Sequence, residues 1–180
     1  MKMNGVKMKS LKMTIVPAIV LALGLLGLSP SPLLAGNHDT YQFFAGVNVP
    51  GPDVATAQDG STVTLSGSGT FKAGPNKTAS GGGTYTIKDP VGNVVAFGTW
   101  TVTGILGFVD YGPLPTDTTL HGGQAKLAVN LVGFDDGVIT ITCLIGSPPP
   151  SKDEGIKLVL GEGGNFNMST SGVTLFIITP

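Results

Sequence analysis

The sequence predicts an all-β protein, and three observations lead to that prediction. Beyond the N-terminal leader, eight or nine short runs alternate apolar with polar residues, which is the two-residue period of a β-strand. No stretch of that part repeats apolar residues at helical spacing over two or more turns. The chain also contains 28 glycines and 13 prolines, and many of them separate the alternating runs as turn residues do. We therefore expect an antiparallel sheet built mainly from hairpins.

The clearest hairpin surrounds Asp89–Asn93, a segment rich in turn-forming residues. The run before it, from Thr84 to Lys88, alternates, and so does the run after it, which carries the only Trp, Trp100. Side chains of a strand change face at each residue. One face of the second strand is therefore expected to contain Val94, Ala96, Gly98, Trp100, Val102, Gly104 and Leu106.

A second hairpin is predicted from Lys126–Val132, a turn at Gly133–Gly137 and a returning strand that ends near Ile145. Cys143, the only cysteine, lies on the apolar face of that strand. No histidine or lysine lies within the strand to activate its thiol, so we expect an inert core residue. The core predicted from the two hairpins contains Trp100, Val102, Leu127, Val129, Leu131, Ile139, Ile141 and Cys143.

The other elements are assigned by the same rules. The predicted strands are 41–45, 62–66, 70–72, 156–160 and 173–179, the last of them buried on both faces. The glycine pair around Ser68 is predicted to be a tight turn between two of these strands. The predicted loops are the segment from Val49 to Ser61 and the segments 73–80, 112–124 and 147–155.

We expect a single antiparallel β-barrel of about eight strands, with a two-sheet β-sandwich as the alternative. Glycines at positions 81–83, 98, 104 and 107 favour the barrel, because they permit the bulges and bends by which a long strand curves.

Residues 1–35 resemble an export signal. Four lysines precede the apolar run Met13–Leu28, and Ala35 offers a small residue for cleavage. The run is short for a bilayer span, although an uncleaved N-terminal anchor is the alternative. Cleavage would leave residues 36–180 as a single all-β domain. We expect that domain to be secreted, either extracellular or periplasmic.

The charge of residues 36–180 excludes some classes of partner. Six lysines, no arginine and eleven carboxylates give a formal charge of −5. A protein that binds nucleic acid needs clustered cations to neutralise the phosphates, and one that binds an anionic membrane surface needs them as well. We therefore expect no nucleic-acid partner, and no membrane association once the leader is cleaved.

Few residues suggest chemistry. His121 is the one histidine away from the predicted new N-terminus, and it could act as a base or a ligand in the 112–124 loop. We predict a ligand-binding role for His121, Asp117 and Tyr111 at the mouth of the barrel. No catalytic set, metal site or cofactor is predicted, because the metal and nucleophile motifs are missing from the sequence. The aspartates around Gly137 and Gly155 are expected to be turn residues rather than calcium ligands.

The leading functional hypothesis is a non-catalytic binding or surface-interaction module, whose partner would be a small molecule, a glycan or a protein. A barrel that carries a small apolar ligand is the first alternative. A barrel enzyme of the isomerase, cyclase or hydrolase type, using His121, is the second.

Overall fold

A computed structural model describes residues 39–47, 51–134, 136–161 and 164–179. These residues form eleven strands and no helix, and the strands join in one antiparallel sheet. The prediction of an all-β antiparallel protein is confirmed. In these ranges there is accordingly no helix of the length and apolarity needed to cross a membrane. The predicted signal segment, 1–35, and His38 lie outside the described residues.

The strands follow the chain in the order β1 (Thr40–Ala45), β2 (Asp53–Thr56), β3 (Thr62–Lys72), β4 (Thr78–Lys88), β5 (Val94–Leu114), β6 (Asp117–Leu131), β7 (Asp136–Cys143), β8 (Gly155–Leu160), β9 (Asn165–Phe166), β10 (Met168–Ser171) and β11 (Thr174–Thr179). Both predicted hairpins are present, as β4–β5 and β6–β7. Three short strands, β2, β9 and β10, were not predicted.

Two long strands each share one edge between two neighbours. One edge of β3 pairs with β1 at Gly67–Lys72 and with β2 at Thr62–Leu65, while the other edge pairs with β4. Strand β6 pairs with β5 along one edge, and with both β11 and β7 along the other. Strand β1 also pairs with β11. Strands β8 and β9 extend the sheet from β7, and β10 extends it from β2.

The predicted core residues are buried. Trp100, Leu127, Val129, Leu131, Ile139, Ile141 and Cys143 are all at most 1% exposed. Val102 is half-buried and packs against them. The indole N–H of Trp100 donates to the backbone carbonyl of Ser66, 3.3 Å away, so the largest core side chain buries no unpaired donor.

The predicted turn at Gly67–Gly69 is wrong, because β3 runs through it without interruption. A Cβ atom at Gly67 would overlap the Trp100 ring, and it would lie 2.5 Å from the carbonyl oxygen of Gly82. This glycine therefore leaves room for the indole rather than making a turn. Glycine in a strand can signal close approach as well as a bend.

The predicted loop at 112–124 is also wrong. Strand β5 continues to Leu114, a two-residue turn follows, and β6 begins at Asp117. The pairing continues through Gly112, opposite Gly122, and Pro113, opposite His121, with a register shift on either side of them. Gly122 and Gly123 are close to the carbonyl of Ile145 and to the Phe108 ring. Prolines and glycines thus mark irregular pairing and tight packing here, not a loop.

Bulges also change the predicted face of β5. The register shifts between Val102 and Gly104 and again between Ile105 and Gly107. Ile105 is consequently buried, while Leu106 is 54% exposed. Strand β11 differs from its prediction as well, since only alternate residues at its start are fully buried.

Candidate functional site

His121 lies in β6 and faces a carboxylate. Its Nδ1 is 3.1 Å from Oδ1 and 3.2 Å from Oδ2 of Asp110, a residue of β5. The histidine is 9% exposed. Because Nδ1 faces a carboxylate, it carries the proton and donates, and the neutral ring then presents its lone pair at Nε2.

Asp110 of β5 contacts side chains of two other strands, His121 of β6 and Tyr41 of β1. It accepts hydrogen bonds from the Tyr41 hydroxyl at 3.2 Å and from the Gly112 amide at 2.7 Å. Burial, and secondly the charge of Asp110, raise the pKa of the Tyr41 phenol, so Tyr41 remains a donor. We call these three side chains the Tyr41–Asp110–His121 cluster.

Aromatic rings support this cluster from the core side. The ring centroid of Phe108 is 4.6 Å from that of Tyr41, 4.9 Å from that of Phe71 and 5.4 Å from that of Phe176. The ring of His121 meets Tyr41 edge-on at 5.8 Å. Such contacts restrict rotamers, so the imidazole orientation is fixed by packing as well as by Asp110.

The other two predicted ligand residues make their hydrogen bonds elsewhere than at His121. Asp117 is exposed at the start of β6, where its Oδ1 accepts from the amide and hydroxyl of Thr119 at 3.0 and 2.6 Å. These bonds lower its pKa. Tyr111 is buried, which raises its pKa, and its carbonyl accepts from the Ser147 amide at 2.7 Å. No hydrogen bond connects either side chain to His121.

Sequence reasoning missed Asp110 and Tyr41 as partners of His121. The β5–β6 register aligns Pro113 with His121 and Asp110 with Gly123. Because the sequence pattern predicts a loop for 112–124, it predicts no strand register there, and Asp110 could not be placed near His121. The available signal was Pro115, since proline favours the second position of a tight turn.

The cluster has the orientation of a general base or a single metal ligand, because a carboxylate fixes one imidazole nitrogen and leaves the other. Within the described ranges, no three His, Cys, Asp or Glu side chains are grouped so that they could hold a metal ion. The geometry supplies one oriented histidine without a second ligand or nucleophile.

A second feature is an apolar groove between β5 and the β6–β7 turn. Its volume is about 380 Å³. We call it the apolar groove. It is lined by Tyr85, Val94, Val95, Ala96, Phe97, Val132, Gly133 and Phe134. Phe97 is 77% exposed, Val132 62%, Val95 61% and Val94 53%. Large apolar side chains grouped on a surface in this way are typical of interaction sites.

Hydrogen bonds and an aromatic contact fix the walls of the groove. The Val132 amide donates to the carbonyl of Thr99 at 2.9 Å, and the hydroxyl of Tyr85 donates to the carbonyl of Val132. Phe134 meets Tyr85 edge-on, with ring centroids 6.1 Å apart. An adjacent groove of about 290 Å³ shares Val95, Ala96 and Phe134 and also contacts Asp59.

Among the residues that the structure describes, one side of the groove is a strand edge without a pairing partner. The β5–β6 ladder begins at Trp100, and Val132, just beyond β6, still bonds to Thr99, so residues 94–98 of β5 pair with β4 alone. Backbone groups of a strand point alternately to its two edges. The carbonyl of Thr99 points away from β4, since it accepts from Val132. The N–H and C=O of Phe97, two residues earlier, therefore point to the same free edge.

Comparisons of the chain with protein-family models, curated protein sequences and solved structures returned no match.

Proposed function

We propose that the chain is an exported, non-catalytic binding module whose apolar groove takes an extended apolar segment of a partner protein. The observation that carries the proposal is the grouping of four exposed apolar side chains on one open groove, with Phe97 the most exposed of them. Burying a side chain of this size against a partner contributes about 1.5–3 kcal/mol, which is enough to make Phe97 the main anchor.

Strand addition is the mode of binding that the backbone supports. The partner would extend along β5 in the position that β6 would occupy beyond Leu131, and it would exchange hydrogen bonds with Phe97. Such pairing gives affinity through the main chain and specificity through pockets for alternate side chains. A polypeptide can supply both, whereas a sugar or a lipid lacks the repeating amide groups.

Charge indicates which apolar segments fit. Asp59 contacts the adjacent groove, and Asp136 is exposed close to the β6–β7 turn. One described cation, Lys88 at the end of β4, lies opposite the groove residue Val94, and it is followed directly by the carboxylate of Asp89. We therefore propose a partner segment with Lys or Arg flanking its apolar residues, since opposite charges accelerate association.

The binding test uses synthetic peptides of about ten residues with alternating valine and threonine, made with and without lysines at both ends. The lysine-flanked peptide is expected to bind more tightly, and Phe97→Ser is expected to weaken its affinity about tenfold or more. Leu106→Ser is the matched control, because Leu106 lies on the same strand, is 54% exposed and does not line the groove.

Equal affinity for the parent and Phe97→Ser would contradict a role for the groove. Native mass spectrometry of the protein from its own host separates the first alternative from the proposal. A bound small molecule at one copy per chain would favour a ligand carrier over a peptide-binding module.

We also propose that the sheet closes into a barrel. The support is the sequence of pairings, which runs from β3 through β4, β5, β6, β11 and β1 and returns to β3. The closing contact is short, and it pairs Phe176 with His121 and Ile177 with Leu120. Nuclear Overhauser contacts between these backbones are expected in solution, and their absence would favour a sandwich that is open at β6 and β11.

A second candidate function is acid–base catalysis by His121, and the fixed contact with Asp110 favours it. A substrate screen that detects turnover would be followed by His121→Ala and Asp110→Asn. Loss of turnover in both variants, with unchanged unfolding midpoints, would support catalysis. Turnover that survives in His121→Ala would eliminate it.

A further inference from the structure

Asp53, the first residue of β2, has a fully buried carboxyl group. The residue is 0% exposed, and neither of its oxygens makes a hydrogen bond with any residue that the structure describes. One oxygen lies against Gly172, where a Cβ atom would overlap it. An ionised carboxylate without donors is very costly to bury, whereas a protonated carboxyl costs much less.

Glu154 is the neighbouring carboxylate, and its oxygens are satisfied. Its Oε1 accepts from the Thr174 amide at 2.9 Å, and its Oε2 accepts from the Leu144 amide at 2.6 Å. The Thr174 hydroxyl also lies 2.9 Å from Oε1, but its one proton is shared with the carbonyl of Thr142 at 2.6 Å. Its backbone carbonyl accepts from the hydroxyl of Ser169. Glu154 thereby connects the end of β7, the start of β11 and β10. We call these contacts, together with Asp53 and Gly172, the Asp53 corner.

Within the described part of the chain, the other elements around Asp53 present no cation to it. Strands β2, β10 and β11 contain no further titratable side chain, and the one in β3, Lys72, lies at its far end opposite Thr40. Lys157 of β8 is only half-buried and pairs with Asp153 at 3.3 Å. Cys143, at the end of β7, is a buried thiol.

We propose that a proton on Asp53 is a structural part of this corner, and that its loss as the pH rises loosens the contacts of Glu154 with β7 and β11. Two neighbouring carboxylates, of which Asp53 is fully buried and Glu154 half-buried, cannot both be ionised without repulsion. The hydrogen bonds of Glu154 to Leu144 and Thr174 would therefore be intact in acid and weakened above neutrality. The Asp53 corner would thus be a pH-sensitive element next to the 144–154 loop. Burial, and secondly the charge of Glu154, raise the pKa of Asp53 to about 7, in agreement with this order of events.

A direct test needs no variant. Carboxyl carbon chemical shifts, followed by NMR as the pH rises, are expected to show Asp53 titrating near neutrality. The Leu144 and Thr174 amides, which donate to Glu154, should lose protection from hydrogen exchange over the same range, after correction for the intrinsic effect of pH. Titration of Asp53 in the ordinary range of aspartate, about pH 4, would overturn the proposal.

Asp53→Asn supplies the second test, because the amide has nearly the same shape and does not ionise. In the parent the urea midpoint is expected to fall between about pH 4 and about pH 7, and in the variant this fall should disappear. Asp59→Asn, at an exposed turn residue, is the control and should retain the fall. A urea midpoint of the parent that does not fall with pH would contradict a proton-dependent corner. A midpoint that rises at about pH 8 when calcium is added would also contradict it, because it would reveal a cation site.

Discussion

At the scale of single residues, the packing of the core depends on glycines as well as on large side chains. Trp100 fills the space between β3, β4 and β5 only because Gly67 leaves a gap beneath its ring. Interiors are close-packed, so a gap of one methyl group in the right place is as necessary as a large side chain. A glycine of this kind is indistinguishable in sequence from a turn glycine, which is why the turn prediction failed.

Gly67→Ala is expected to destabilise the protein by about 1–3 kcal/mol, because the added methyl overlaps Trp100 and the backbone of β4. Gly104→Ala is the matched control, since a Cβ atom at Gly104 would have no neighbour within 4 Å. Urea unfolding of both variants measures the difference. Equal midpoints for the two would show that Trp100 does not lie over Gly67.

The reactivity of the Cys143 thiol measures whether this side chain is buried. The thiol is 1% exposed, and burial, the largest of several effects, raises its pKa to about 11. A thiol reagent at about pH 8 should therefore label the native protein slowly and the urea-unfolded protein fast. Fast labelling without denaturant would place Cys143 on the surface and contradict the assignment of β7.

At the scale of elements, the sequence was sufficient where apolar and polar residues alternate without interruption. Strand β7 and the last six residues of β6 were predicted with their inward faces, including Leu127 and Ile139. It was insufficient where bulges shift the alternation, as at Ile105 and Leu106. Register decides which side chains meet across a hairpin, so the contact between Asp110 and His121 could not be derived without it.

The correction of the 112–124 segment from a loop to paired strands predicts its amide exchange. The amides of Gly123 and Gln124, which lie in β6 between β5 and β7, should exchange slowly. That of Asp153, which precedes β8 outside any strand, should exchange quickly. Hydrogen exchange followed by NMR gives both rates in one experiment, and uniformly fast exchange from 117 to 124 would restore the loop.

At the scale of the whole molecule, stability should depend on pH in two opposite ways. Asp53 has a raised pKa, so its contribution is fully present below the usual aspartate pKa and is lost as the pH rises towards about 7. Its size is on the order of 4 kcal/mol. Hydrogen bonds from Asn93 and Thr119 lower the pKa values of Asp89 and Asp117, so these exposed turn residues act in the opposite sense and lose their contribution in acid. Urea midpoints measured across the pH range should therefore decline towards neutrality, because the buried group dominates.

The apolar groove, the Tyr41–Asp110–His121 cluster and the Asp53 corner involve different residues of one sheet. Only the groove combines exposed apolar side chains with unpaired backbone groups, which is the combination that a partner segment needs. The central claim is therefore that Phe97 accepts an added strand.

The most direct measurement of this claim is the exchange rate of the Phe97 amide with and without the lysine-flanked peptide. In the free protein this amide should exchange quickly, because it points to the free edge of β5, whereas the amide of Gly98 should be protected by β4. Binding should slow exchange at Phe97 about tenfold or more and leave Gly98 nearly unchanged. A peptide that binds without protecting Phe97, or a Phe97 amide already protected in the free protein, would contradict strand addition at this edge.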